Sequence, residues 1–222
     1  MKISIPFLTL LSASSVLSFD IYKRGAASSN IQLIASLSES CKQDFNNPDF
    51  LECYDQQVTM ENYKEVCATF NTEKCQKIFD DPFTVLPNCK DQEILTEVHL
   101  SKLFVEYNKR MGNYICTYDE NGEICPTSKQ SVSRQLVNEY TIAEACKSKR
   151  CSESALDFYG FIADNIEEFS EMGGIVGDPR VFSYTKEKLL AKECTSQHSG
   201  SSVTYKISGS LLFTLMGLLL LL

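Results

Sequence analysis

The sequence predicts a mainly α-helical fold, a disulfide-stapled bundle of amphipathic helices with one short β-hairpin or closed loop near residues 114–125. Three observations carry that expectation. Apolar residues recur at three- and four-residue steps through most of the span 30–194. All ten cysteines fall inside the same span, an even number. Only around Asn121-Gly122 does the helical period give way to β-forming residues flanking a tight-turn dipeptide.

Taken in order, Ile34, Leu37, Cys41 and Phe45 make the first apolar face, and Tyr63, Val66, Cys67 and Phe70 the second. A longer helix is expected after Asp91, read as its N-cap. It carries Leu100, Leu103, Phe104, Tyr107 and Met111 on one side, with Glu106, Lys109 and Arg110 left to solvent. Thr127-Ser128-Lys129-Gln130 has capping-box spacing and opens a helix through Val132, Leu136, Tyr140 and Ala143. Leu156, Tyr159, Ile162, Ile166 and Phe169 lie on another, stopped by Gly173-Gly174. Asp178-Pro179 then supplies a cap and a first-turn proline for a last helix to about Glu193.

The cysteines suggest a pairing between neighbours. Glu39-Ser40-Cys41 leads to Cys53, Glu65-Val66-Cys67 to Cys75, and Glu144-Ala145-Cys146 to Cys151, a degenerate repeat that would pin successive helices into αα-hairpins. Cys116 and Cys125 would close the hairpin, since a cystine needs Cα atoms within about 7 Å. Cys89 and Cys194 remain, to join the middle of the chain to its last helix. Zinc is not expected, because no Cys-x-x-Cys pair occurs and the only histidines are His99 and His198.

The two ends read as addresses rather than fold. Lys2 and the apolar stretch Ile3 to Leu17 form a secretory signal, residues 1–18, cut after Ser18. Residues 19–29 are a flexible segment in which Lys23-Arg24 offers a dibasic processing site. Residues 30–194 make a single cysteine-rich domain, and 195–199 a Ser-rich stalk. Residues 200–222 are the removed propeptide of a GPI-attachment signal. Leu211 to Leu222 is a short greasy run, preceded by a polar spacer and by the small residues Ser199, Gly200, Ser201 and Ser202. A helix of that length rises only about 18 Å, too little for a bilayer core of about 30 Å. Ser199 or Gly200 is the expected attachment residue.

Charge narrows the partners. The chain carries 21 basic and 29 acidic residues, and trimming Lys2 and Lys206 with the end segments leaves 19 against 29. An acidic surface of this kind repels nucleic acid and anionic lipid. No Asn-x-Ser/Thr sequon occurs. The absence of a histidine beside a nucleophile argues against nucleophilic hydrolysis, and the absence of Trp counts against a sugar-stacking cleft, although Tyr could substitute. Asp157 with Asp164, or Glu167 with Glu168, are the carboxylate pairs that an acid–base mechanism would use, but they read more simply as a solvated helix face.

With cleaved leader, lipid-anchor tail, Ser-rich run, dibasic site and acidic cysteine-rich body, the chain resembles the GPI-anchored, cysteine-rich cell-surface and cell-wall proteins of fungi. The resemblance covers architecture and no family motif, so no functional residues carry over. It differs from the helical eight-cysteine fungal surface domain that can bind haem, whose tight cysteine clusters it lacks. The expectation is a protein at the extracellular face of the plasma membrane or in the cell wall, with a structural, adhesive or partner-binding role and no cofactor. Its partners would be the membrane, through the lipid anchor, and a cell-wall glycan or surface protein. Two alternatives stand beside this: a binding module for an apolar ligand such as a lipid, sterol or haem-like molecule, and a cell-wall glycan-active enzyme. The supply of 13 Phe and 10 Tyr would suffice to line a pocket.

Overall fold

The computed structural model describes residues 37–54, 57–93, 95, 100–171 and 178–198. Both the leader and the lipid-attachment segment, with Ser199 and Gly200, lie outside these residues, as do His99 and Gly173-Gly174. Among the described residues the fold is helical throughout, with no strand.

Short helices dominate the first half, and most are started by a side-chain cap. Ser38 opens α1 (Glu39–Asp44), accepting from the Cys41 N–H. Asn47 opens α2 (Pro48–Tyr54) by accepting from the amides of Asp49 and Phe50, with Pro48 in the first turn. α3 is Tyr63–Phe70, and Thr72 caps α4 (Glu73–Asp80). Two 3₁₀ turns follow, Pro82–Thr84 and Pro87–Cys89. The second is tied to α1 through the Asp44 carboxylate, which accepts from the Asn88 N–H at 2.7 Å and its Nδ2 at 2.9 Å.

The second half is built on longer helices. α5 (Lys102–Ile115) is capped by Ser101 rather than by Asp91, and it buries Phe104 and Met111 as its apolar stripe requires. The helix expected from Thr127 to Ala143 is two. α6 (Pro126–Val132) ends at a turn where Arg134 takes the left-handed conformation, φ 57°, and α7 (Glu139–Ala145) starts afresh. Asn138 and Thr141 form a reciprocal capping box there. As a result Leu136 is 57% and Tyr140 72% exposed instead of buried. α8 (Lys149–Asp164) and α9 (Ile166–Glu171) are separated by a break at Asn165. The final expected helix divides likewise into α10 (Arg180–Leu190) and α11 (Lys192–His198), so Thr195 to His198 are helical.

These helices enclose two apolar cores. The smaller gathers α1, α2, α4 and the 3₁₀ turns around an aromatic series in which Phe50, Tyr54, Phe79 and Phe70 meet at centroid distances of 4.8, 4.4 and 5.0 Å. In the larger core α8 is flanked by α5 and α10. Tyr114 stacks on Phe158 at 4.8 Å, while its hydroxyl meets Ser131 Oγ at 3.0 Å and Tyr159 at 3.4 Å. α3 belongs to both: Val66 and Cys67 face the larger core, Phe70 the smaller.

Between Cys116 and Cys125 the expected hairpin reduces to one antiparallel bridge, Tyr118 to Ile124. Gly122 takes φ 82°, as a turn after Asn121 requires. The loop is held by Asp119, whose carboxylate accepts from the amides of Asn121 and Glu123, each at 2.8 Å.

Candidate functional site

The ten cysteines form five cystines, Cys41–Cys89, Cys53–Cys75, Cys67–Cys116, Cys125–Cys151 and Cys146–Cys194, and none is free. Neighbour pairing is therefore replaced in every case, and the two cores show why. Cys67 faces the larger core and Cys75 the smaller; Cys146 faces the larger and Cys151 a small cluster with Cys125 and Ala145. Cys89 and Cys194 likewise belong to different cores. Cys116, the C-cap of α5, packs against both and reaches back to α3 instead of across its own loop to Cys125. Cys41 and Cys53 do share a core, but α1 packs on the second 3₁₀ turn and α2 on α4, so each takes the cysteine of the element it touches.

The carboxylates singled out in the sequence are not set against each other. Asp157 accepts from Arg110 across the α5–α8 contact and Asp164 from Lys186 of α10, so each faces a cation. Glu167 and Glu168 lie in the first turn of α9 and are both exposed. The described residues contain no group of three or more His, Cys, Asp and Glu side chains placed to hold a metal ion. None of their helices is long and apolar enough to cross a membrane. The aromatics that would line an apolar cavity pack on one another: Phe104, Tyr107, Phe158 and Phe169 make mutual ring contacts in the larger core.

A cleft of about 480 Å³ opens on the surface between α7 and the α10–α11 corner. Its construction follows from the local sequence. The capping box at Asn138 fixes the start of α7, which presents Glu139, Ile142 and Ala143 on one side and ends in Cys146. α10 stops at Ala191, whose extended ψ of 148° turns the chain before α11, and that turn brings Cys194 onto Cys146. The cystine and the small side chains of Ala143 and Ala191 form the apolar part of the lining.

Polar groups lie around it. The Glu139 carboxylate accepts from the Tyr184 hydroxyl and, at 3.4 Å, from Lys188 Nζ, which also stands 5.3 Å from the Tyr184 ring centroid. These donors hold the Glu139 carboxyl below its ordinary range, the Tyr184 hydroxyl first and Lys188 second. In return the Lys188 ammonium and the Tyr184 phenol are both raised, chiefly by Glu139. Across the cleft Glu193 has no side-chain partner among the described residues, and Gln197 uses only its Nε2, donated to the Glu193 carbonyl at 3.0 Å. Sequence reasoning missed this cleft. Its one legible signal was Asn138 with Thr141 three residues on, a helix start inside what reads as a continuous helix.

No known protein family, curated protein or solved structure matches the chain. The functional reading therefore rests on the residues alone.

Proposed function

We propose that this is an exported protein held at the outer face of the plasma membrane by a GPI lipid, or passed on to the cell wall, and that its helical body is a partner-binding module. The observation that carries the reading is the complete oxidation of the cysteines: ten of ten are in cystines that link elements distant in sequence. Such a set fits an oxidising compartment and would be reduced in cytosol. The apolar leader and the small-residue run at Ser199–Ser202 ahead of a greasy segment support the route and the anchor. The other four cystines lock helix to helix or helix to turn, and Cys125–Cys151 packs on Ala145 at the end of α7, so the surface around Cys146–Cys194 stands on a cross-linked frame.

Phosphatidylinositol-specific phospholipase treatment of intact cells tests this. The expected result is release of a protein that lacks both apolar end segments and whose non-reduced mass accounts for five cystines. A cell-associated chain that keeps Leu211–Leu222, or one recovered from cytosol with free thiols, would overturn it.

A further inference from the structure

We infer that the cleft between α7 and the α10–α11 corner is a binding site for a neutral, polyhydroxylated sugar unit of an oligosaccharide. The inference names a ligand class for the module proposed above and rests on its reading as a binding domain. Three features of the cleft converge on it.

Size comes first. About 480 Å³ lies within the range of small-molecule sites and is room enough for one or two pyranose rings. The second is the pairing of an apolar wall with a polar edge. The exposed Ala143 and the half-buried Ala191, backed by the buried Ile142 and the Cys146–Cys194 cystine, form an apolar wall against which the C–H face of a pyranose can lie. The third is the mixture of hydrogen-bonding types. A sugar hydroxyl both donates and accepts, and the edge supplies both: the Lys188 ammonium as donor, and as acceptors the Gln197 amide oxygen and the Glu193 carboxylate, which has no partner among the described residues.

That mixture also selects against anionic ligands. Glu139 and Glu193 outnumber Lys188 in the lining, and the resulting net negative charge disfavours an acidic sugar or phosphate. A neutral sugar meets no such repulsion. Glu139, Lys188 and Tyr184 already contact one another, so Lys188 is directed to this edge before a ligand arrives.

The test is saturation-transfer NMR on the full chain expressed in a secretory host and purified under non-reducing conditions, with mannotriose, laminaritriose and chitotriose as probes. At least one should receive saturation on its ring C–H protons, with an affinity unchanged by added salt. Ala143→Trp fills the cleft from an exposed position and should weaken binding tenfold or more, to the limit of detection, with all five cystines still formed. Glu193→Gln changes one exposed carboxylate and should weaken it several-fold, which keeps the inference testable if the tryptophan variant fails to fold. Three results would overturn it: no transfer to any of the trisaccharides, parental affinity in Ala143→Trp, or salt-sensitive uptake of oligolysine in their place. A protein that phospholipase releases but that binds no sugar refutes this inference alone. One that binds sugar yet is not released refutes the anchor alone.

Discussion

Gly112 lies directly beneath the ring of Phe70. A Cβ built on Gly112 would stand 2.2 Å from Phe70 Cε2 and 2.4 Å from Cζ, so α5 and α3 approach at a point where only a hydrogen fits. This contact is the seam between the two cores, and the Cys67–Cys116 cystine crosses it within one turn on each helix.

Gly112→Ala should therefore destabilise the protein, although alanine is favoured over glycine inside a helix by about 1 kcal/mol. Overpacking at such a contact costs about 1–3 kcal/mol and wins, because the Phe70 ring is itself enclosed by Phe79. Adding Phe70→Leu to Gly112→Ala should recover part of the loss. Urea unfolding of the two singles and the double measures the coupling; strict additivity would show that the ring and the glycine do not meet.

Arg110 joins α5 to α8. Its Nε donates to Glu106 at 2.7 Å, its Nη1 to Asp157, and its guanidinium lies 4.8 Å from the centroid of Phe161. With 28% of the side chain exposed, the ion pairs are partly screened, and stacking adds to them. Arg110→Ala should cost about 1–2 kcal/mol. Arg110→Lys should cost nearly as much, because it keeps the charge but loses the planar fork and the ring contact. Thermal unfolding compares the two, and a lysine variant equal to the parent would leave simple charge as the whole effect.

Much of the helical content was legible, and the places where it was not share a cause. Val66, Cys67 and Phe70 lie where their spacing puts them because α3 presents one face to buried neighbours. The breaks at Arg134, Asn165 and Ala191 were invisible to periodicity, since apolar residues continue in phase across each of them. A cap such as Asn138 competes locally with helix continuation, and tertiary packing decides which prevails. The cystines were hidden for a related reason. Pairing depends on which buried cluster a cysteine faces, and the clusters draw on residues far apart in the chain, as the sequence separation of 48 between Cys146 and Cys194 illustrates. The cleft depends on that same cystine, so it could not be read before the pairing was known.

Peptide mapping decides between the two pairings directly. Trypsin cuts at Lys147, Lys149 and Arg150, which separate Cys146 from Cys151. Under non-reducing conditions the Cys146 peptide should travel with that of Cys194, and the Cys151 peptide with that of Cys125. Recovery of Cys146 linked to Cys151 would restore neighbour pairing and dissolve the cleft. Replacing Cys146 and Cys194 together by serine opens a 48-residue loop, and the chain-entropy relation gives a loss of about 4 kcal/mol. The same variant should lose sugar binding even at temperatures where the rest of the domain stays folded.

The buried tyrosines set the alkaline limit of stability. Tyr54, Tyr114 and Tyr159 are all raised above the ordinary phenol, in each case first by burial, and Tyr159 further by the proximity of Tyr114. In the unfolded chain each ionises near pH 10, as model phenols do. Because the folded value is the higher one, the contribution to stability is whole below about pH 10 and is lost as pH climbs from there toward the folded value. Each tyrosine contributes a slope of at most about 1.4 kcal/mol per pH unit, so the three together remove on the order of 4 kcal/mol per unit. Tyrosinate absorbance of these rings should then rise in one cooperative step, together with loss of near-ultraviolet circular dichroism, and not as a gradual titration of the native state. Tyr159→Phe removes one of the three and should flatten the alkaline limb of the stability curve by about a third. An unchanged slope in that variant would mean that the Tyr159 hydroxyl is already open to solvent, and with it the hydroxyl cluster shared by Tyr114 and Ser131.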